Sequence, residues 1–500
     1  MDTQTQVSTL HGVSMLTAAQ QSFEANIGLA MLHEPPGSNS EQLINVAVAF
    51  GLNLHGDPAL GAAQAARDSG ASPNCILAAV ACVIGPRRAE PSRQIVHALI
   101  ELFAAAGLRD ATDESFDLDC MHPDASLRQQ LWASGRDLQA EAMLVALGRR
   151  GLKSVFVRYL EAAAAYPTRH AVLAAIAVTM AWGPLMRKRL SRVSAENLPW
   201  WLGLFGALIG ASVSAERHQP DRLCGLSTEE LLGKSSLTEF IYVALLGLTP
   251  TRANQFALQT LLGLLVTNGP GSISAQGAKG AVSADGPESP ARVQLNKALL
   301  GFLSHSGFAH GGNGFEGIDF LIEQFRDTGL NDPADAHHGL DLQALAGAYV
   351  AKYAQYKAGQ KSAGNLDLVK IPGVNHPVFK DRPVNVDPRE VYVRNLFRER
   401  GEYNVFHEYY HALVQALFDA GVSRTVYCVN IDAVIAALLL KILWRPFKDG
   451  TLSKQALEAA AFTVFLFPRM VGCAAESDDH LNRGRNMDTR TAASQCRFVA

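Results

Sequence analysis

The sequence predicts a mainly α-helical fold in which one helical unit occurs twice in tandem. Three observations lead there. The chain has 48% hydrophobic but only 8% aromatic residues, and stretches such as HAVLAAIAVTMAW hold few β-branched runs, a composition that favours helix. Segments such as STEELLGKSSLTEFIYVALLGL set apolar residues at i, i+3, i+4 and i+7 behind Ser227 and Thr228, which are candidate N-caps. The chain also matches itself over long ordered blocks.

The first block, from Asn53 (NLHGDPALGAAQAARDSG onward), parallels the stretch from TNGPGSISAQGAKGAVSADG through GFAHGGNGFEGIDFLIEQFRDTGL. A glycine-rich turn, a small-residue helix, an apolar helix, a glycine-containing loop and an amphipathic helix recur in one order. Further on, LVALGRRGLKSVFVRYLEAAAAYPTRHAVLAAI parallels LVQALFDAGVSRTVYCVNIDAVIAAL, and WWLGLFGALIGASVSAERHQPDR parallels FTVFLFPRMVGCAAESDDHLNR. Residues 1–220 read as one copy and 221–500 as the second, with a smaller subdomain at roughly 330–425, where loops bearing Gly, Lys and Pro separate the helices. The alignment sets Arg88 opposite His310, His170 opposite Asp432 and His55 opposite Asn268, and implies one internal stretch of about 40 residues missing from the first copy. RTVYCVNID is the one extended candidate.

A chain of 500 residues exceeds the usual single core. A net charge of -3 gives no basic face for nucleic acid. The apolar stretches CILAAVACVIG, HAVLAAIAVTMAW and AVIAALLLKILW stop short of the ~20 residues that cross a bilayer, so no membrane partner is expected. The start, MDTQTQVSTLHGVSML, lacks the basic segment of a signal peptide, which makes the cytoplasm the default expectation. Seven scattered cysteines without CxxC spacing read as reduced, mostly buried thiols, and no closely spaced His/Cys pairs call for a metal.

Three short motifs carry potential chemistry. His310 precedes Gly311 and Gly312 in HGGNG, where bare backbone lets a ligand approach closely; the plainer reading is a loop entering a helix. His376 follows a Pro-Gly turn in IPGVNHPVF, ahead of Arg389 in a DPR step that opens a helix. Asp432 ends an extended segment in VNID and, taken alone, reads as an N-cap.

In this order and spacing these motifs resemble the citrate synthase family, which places a histidine before a glycine pair, a second after a PGxxH turn and an aspartate in an NVD step. GLSTEELLGKSSLTEFIYVALLGLTPT, FPRMVGCAAE and NRGRN extend the likeness over residues 221–490, and NIDAVIAALLLKIL is similar to the citryl-CoA lyase module of ATP-citrate lyase. The resemblance implies an all-helical fold with large and small subdomains, and condensation of a short acyl-CoA such as acetyl-CoA with a 2-oxo acid such as oxaloacetate. Cleavage of a citryl-type thioester and a noncatalytic CoA- or tricarboxylate-binding role are the alternatives.

On this reading Asp432 removes the proton beside the thioester, His310 stabilises the enolate and His376 polarises and protonates the keto oxygen. Such a reaction needs a base at carbon and a donor at the developing oxyanion. Arg389, Arg469 and Arg483 match the family's carboxylate-binding arginines, with Arg485 as the alternative to Arg483; planar guanidinium forks suit that task. Asn268 stands where the family carries a histidine, and Gly311, Gly312 and Lys380 are the implied CoA contacts. No metal and no tightly bound cofactor are implied, the CoA thioester being substrate. The family's dimeric site further implies an intrachain pseudo-dimer, with Arg217 or Arg222 near the second copy's site and Arg483 facing the first; a dimer of whole chains stays open.

Overall fold

A computed structural model describes residues 7–233, 235–285, 293–307, 310–365, 368–376 and 379–482. The fold is mainly α. The N-terminal half holds α1 (Met15–Ala18), α2 (Phe23–Leu32), α3 (Ser38–Phe50), α4 (Pro58–Asp68), α5 (Pro73–Val83), α6 (Pro86–Ala105), α7 (Ala125–Leu131), α8 (Leu138–Arg149), α9 (Val155–Ala162), α10 (Arg169–Met186) and α11 (Arg192–Ala211). The C-terminal half holds α12 (Thr228–Gly233), α13 (Leu237–Leu246), α14 (Arg252–Leu264), α15 (Ile273–Ser283), α16 (Leu295–Ser304), α17 (Asn313–Phe325), α18 (Leu342–Ser362), α19 (Pro388–Glu399), α20 (Val405–Asp419), α21 (Ile431–Lys448) and α22 (Lys454–Asn482). The strands are two-residue antiparallel pairings: β1 (Thr9–Leu10) with β2 (Val13–Ser14), β3 (Trp132–Ala133) with β4 (Tyr166–Pro167), and β5 (His218–Gln219), β6 (Arg222–Leu223) and β7 (Leu226–Ser227) in one small sheet.

The two halves share element lengths and caps at several places. Each opens on a tight hairpin whose turn needs two left-handed residues, His11 and Gly12 in one, Cys224 and Gly225 in the other. Helices α2 and α13 are both 10 residues long, start on a serine cap (Ser22, Ser236) and end on a left-handed residue, His33 or Gly247. Helices α3 and α14 both have 13 residues, α4 and α15 both 11. Helices α10 and α21 both have 18, with Pro184 and Pro446 at the same place near the end. The caps explain this regularity: a side-chain oxygen accepting from the first turn fixes where a helix starts.

These caps correct two sequence expectations. Asp137, Ser154 and Thr168 cap α8, α9 and α10 as Asp387, Asn404 and Asn430 cap α19, α20 and α21. Residues 155–162 therefore correspond to 405–412, and the pairing of LVALGRR with LVQALFD is out of register: the former ends α8 while the latter lies inside α20. The extra residues of the C-terminal half also fall in two places rather than one. The longer piece contains α18 and the loop to Asp387, and the shorter lies between α20 and α21.

Helices α5, α11, α15, α16 and α22 pack together where the halves meet, and α2 also packs on α22. Asn74 of α5 donates to the carbonyls of Leu303 and Ser306, and Asn296 of α16 returns a bond to Ala81 O at 3.0 Å. Gly277 and Gly301 face one another closely enough that a β-carbon on either would overlap the other's backbone, so α15 and α16 pack in near contact. Helices α10 and α22 are longer than their apolar runs and each carries an 18-residue window apolar enough to cross a membrane, but 61% and 83% of those windows are buried inside the protein. The cysteine expectation fails in part: Cys75, Cys82 and Cys120 are exposed, while Cys428 and Cys473 are buried. RTVYCVNID is extended but forms only single bridges, Val426 with Val384 and Val429 with Val374.

Candidate active site

Asp432 is not the N-cap. Asn430 takes that role, its side-chain oxygen accepting from the amides of Asp432 (2.9 Å) and Ala433 (3.3 Å), which leaves Asp432 at the second helical position with its carboxylate uncommitted. Burial raises its pKa above the ordinary aspartate value; Arg389 pulls it back down, and Asp387 and Glu316 push it further up. The result is a carboxylate more basic than a solvated one, at the positive end of an 18-residue helix. Beside it, the hydroxyl of Tyr410 is buried without a hydrogen-bond partner, and its titration is pushed far up by burial.

The Pro-Gly turn carrying His376 is sewn onto the entry of α21. Asn430 N donates to Gly373 O (3.0 Å), Asn430 Nδ2 to Asn375 O (2.8 Å), and Asn375 N to Cys428 O (2.8 Å). Gly373 is left-handed (φ 77°) and a β-carbon there would lie 2.7 Å from that of Ala433, so only glycine lets the turn sit this close. His376 stacks on Phe379 (4.7 Å), and its Nε2 is 3.5 Å from Arg389 Nη2. Burial first, and Arg389 second, lower its pKa.

Arg389 is held by the cap of its own helix. The fully buried Asp387 accepts from Arg389 N (3.0 Å), Nε (2.9 Å) and Nη2 (2.6 Å), which aims the guanidinium while leaving Nη1 uncommitted by any described contact. Arg469 is buried in the middle of α22 without a carboxylate partner. Its Nε donates to Leu265 O (3.0 Å), its Nη1 reaches Ser274 Oγ (3.3 Å) and its Nη2 is a buried donor with no acceptor. Burial pushes its pKa down to about 10. An orphan guanidinium N–H is costly unless an anion completes it.

His310 lies in the loop before α17, exchanging backbone hydrogen bonds with Gly307 at 3.0 Å in both directions. Its ring meets Phe465 edge-on at 5.6 Å, Phe465 in turn lies under Arg469 at 4.9 Å, and His310 Nε2 is buried with no partner. Burial and then Arg469 lower its pKa, so the imidazole is neutral at pH 7. Gly311 (φ 109°) packs its bare backbone on Phe465, so in this structure that glycine accommodates a ring of the protein itself. Gly312 begins α17. Helices α17 and α21 touch through Gly314 on Ile435 and Gly317 on Ala436, with Tyr410 of α20 also against Gly317, which brings the His310 loop and Asp432 to neighbouring helix starts.

The structure thus gathers His310, His376, Asp432, Arg389 and Arg469, linked by Phe465, Asp387 and the mutual influence of the two arginines. It does not join Asn268 or Lys380 to them by any described contact; both side chains are exposed. Arg483 and its alternative Arg485 lie outside the described residues. Arg217 and Arg222 are not drawn to this site either. Their hairpin is tied to the N-terminal half by Asn53 Nδ2, which donates to Gln219 O and Arg222 O, and by His55 Nδ1 against His218 O.

Four contributors escaped the sequence reading. Asp387 belongs to the DPR step that opens a helix, and nothing in the sequence singles out Phe465 or Tyr410. The fourth is a cluster: Glu390 Oε1 sits 2.9 Å from His407 Nε2 and 2.8 Å from His411 Nε2, with the three ligand atoms within 4.8 Å of one another. This corrects the expectation that no histidine pair has ligand spacing, because HEYYH on α20 puts both imidazoles on one helix face. The donor set suits a divalent cation such as zinc. As it stands, burial pushes Glu390 up, and hydrogen bonds from the two histidines outweigh that and bring it to about 2.

No family model and no curated protein matches the chain. Among solved structures it is similar to a citryl-CoA lyase from Hydrogenobacter thermophilus, at 18% identity and TM-score 0.40 over 56% of this chain and 89% of that one. It is similar to the citrate synthase of Pyrobaculum aerophilum at 12% identity and TM-score 0.49, over 98% of this chain and 88% of that one. A citrate synthase from Thermoplasma acidophilum, solved as a ternary complex with carboxymethyl coenzyme A and oxaloacetate, aligns at 15% identity and TM-score 0.46 over 98% and 91%.

Proposed function

We propose that the C-terminal half is a citrate synthase-like catalyst that joins a short acyl-CoA to a 2-oxo acid, and that the N-terminal half is a related copy serving as its intrachain partner. The observation that carries the reading is the Asp432 carboxylate: uncapped, made more basic by burial, and set beside neutral His310 and His376 and two guanidiniums. A basic carboxylate is suited to take a proton from the carbon beside a thioester. A neutral imidazole at His310 donates a hydrogen bond to the enolate oxygen without protonating it outright. The enolate carbon attacks the keto carbon of the oxo acid, whose oxygen takes a proton through His376, with the proton that Asp432 removed closing the balance; water then hydrolyses the citryl-type thioester, which releases CoA as its thiol. Arg389 Nη1 and the orphan Nη2 of Arg469 are the donors available to substrate carboxylates.

The repetition of caps and helix lengths supports the tandem reading, and the absence of a counterpart to His376 supports assigning the chemistry to the C-terminal half. The test is thiol release from acetyl-CoA with oxaloacetate, beside a panel of other acyl-CoAs and 2-oxo acids, in the wild type and Asp432→Asn. Release that disappears in the variant supports the condensing reading. Silence with both substrates, but oxaloacetate formed from added citryl-CoA, assigns the site to cleavage. Silence in both directions rejects catalysis.

A further inference from the structure

We propose that the N-terminal half holds a second binding site, for a small organic anion bearing two or more carboxylates; this rests on the tandem reading above. A cleft of about 460 Å³ opens there, lined by His55, Asp57, Arg88, Gln139, Arg169 and His170 above an apolar floor that includes Trp200 and Gly203. That volume is typical of metabolite sites. The cleft occupies the place that the candidate active site occupies in the other half: the caps set Gln139 for Arg389, His170 for Asp432 and, from Ser191 and Ser453, Gly203 for Phe465, and the sequence alignment sets Arg88 opposite His310.

The register through α11 and α22 has its own check. Gly210 and Gly472 take the same place, each pressed on the carbonyl just past the end of the preceding helix pair's partner, Leu52 O in one half and Val266 O in the other. This register explains why the cleft is open. Phe465 fills the corresponding space with a ring against His310 and Gly311, whereas Gly203 leaves it empty, with nothing within 4 Å of where its β-carbon would be.

Three features make the cleft attractive to anions. The starts of α4, α6 and α10 all reach its lining; Asp57 caps α4 and Asp137 Oδ2 accepts from Arg169 N at the start of α10, so the positive end of α6, with a glycine cap and no acidic residue in its first turn, is the one left uncompensated. Two guanidiniums are present although neither comes from the positions of Arg389 or Arg469. Arg88 bonds Asp57 (2.8 Å) and Arg169 bonds Gln139 (2.8 Å), which orients both without neutralising both. His170 is held to Ser92 at 2.9 Å, and burial followed by Arg169 lowers its pKa, so no carboxylate faces the ligand where Asp432 stands in the other half. The cleft retains the means to hold a polycarboxylate and lacks the carboxylate base that would process it.

Calorimetric titration of the full chain with citrate tests this, using wild type, Gly203→Phe, the double variant Arg88→Gln/Arg169→Gln, and Arg389→Gln. The expected result is two citrate sites per wild-type chain. Gly203→Phe, which rebuilds the ring of the other half, and the double variant each weaken one site at least tenfold while thiol release is unchanged; Arg389→Gln weakens the other. If Gly203→Phe does not fold, the double variant at exposed positions decides. Citrate binding unaltered in both N-terminal variants overturns the proposal, as does inorganic phosphate displacing citrate at equal concentration. If thiol release is absent in wild type but Gly203→Phe still abolishes one citrate site, the catalytic reading fails and this one stands.

Discussion

The N-terminal cleft and the C-terminal site are built on the same helix starts but differ in what stands on them. In the C-terminal half Phe465 and Arg469 fill the interior and leave His310 Nε2 and Arg469 Nη2 buried without partners. In the N-terminal half Gly203 leaves that space open, and the charged groups lie at its exposed mouth, paired as Arg88 with Asp57 and Arg169 with Gln139. Orphaned buried polar groups mark where an arrangement answers to something other than its own stability. Paired, exposed ones mark a surface adapted to be stable while it waits. The two regions therefore share a backbone set by caps and close-packing glycines and differ in the handful of side chains that set the field.

The sharpest way to break this comparison is at its two equivalent positions. Asp432→Asn is expected to lower thiol release by ~10²–10⁴-fold, the usual worth of a positioned base, while His170→Asn leaves it unchanged; equal losses would dissolve the distinction between the halves. Stability separates the hollow from the close-packed seam at two glycines. Gly472→Ala drives a β-carbon into Val266 O and is expected to cost roughly 1–3 kcal/mol or more, read as a lowered melting temperature. Gly203→Ala meets nothing and is expected to stabilise its helix by up to ~1 kcal/mol.

A third contrast lies at Glu390, which has Ala140 at the matching place in α8. Its carboxylate is held at about 2 in the folded protein against 4.5 ordinarily, so the unfolded chain takes up the proton first on acidification. The stabilisation it provides is full above pH 4.5 and is lost as pH falls towards 2. Denaturant unfolding should show Glu390→Gln less stable than wild type by on the order of 1–3 kcal/mol at pH 6, a gap that narrows by pH 3. The smallest expected effect is on the pH profile of kcat. Asp432 must be ionised, so its raised pKa places the acid limb above the ordinary aspartate value, and Arg389→Gln, by removing the charge that pulls Asp432 down, moves that limb further up.

The helical class and the recurrence of the blocks were legible because they rest on periodicity and caps, which are local. Asp57, Thr168 and Asp387 stand in the sequence where caps belong and cap helices in the structure. The register of α9 against α20 was misread because alanine- and leucine-rich stretches align with one another at several offsets, and only the caps break the degeneracy. Taken alone Asp432 reads as a cap, because Asp often is; Asn430, two residues earlier, outcompetes it and thereby frees the carboxylate for the role of base that the resemblance implies. The Glu390–His407–His411 cluster was missed because one member comes from a different helix, although HEYYH was visible.

By itself the sequence determined what depends on neighbours along the chain: helix starts, glycine turns such as Gly373 and Gly311, and the order in which His310, His376 and Asp432 occur. Only the tertiary structure decided which of these residues are desolvated, which guanidiniums are already spoken for, and which half is left hollow. Those properties depend on what packs against a group from distant segments, as Leu265 does on Arg469 and Phe465 on His310, and burial by a distant segment leaves no mark in the local pattern of residues.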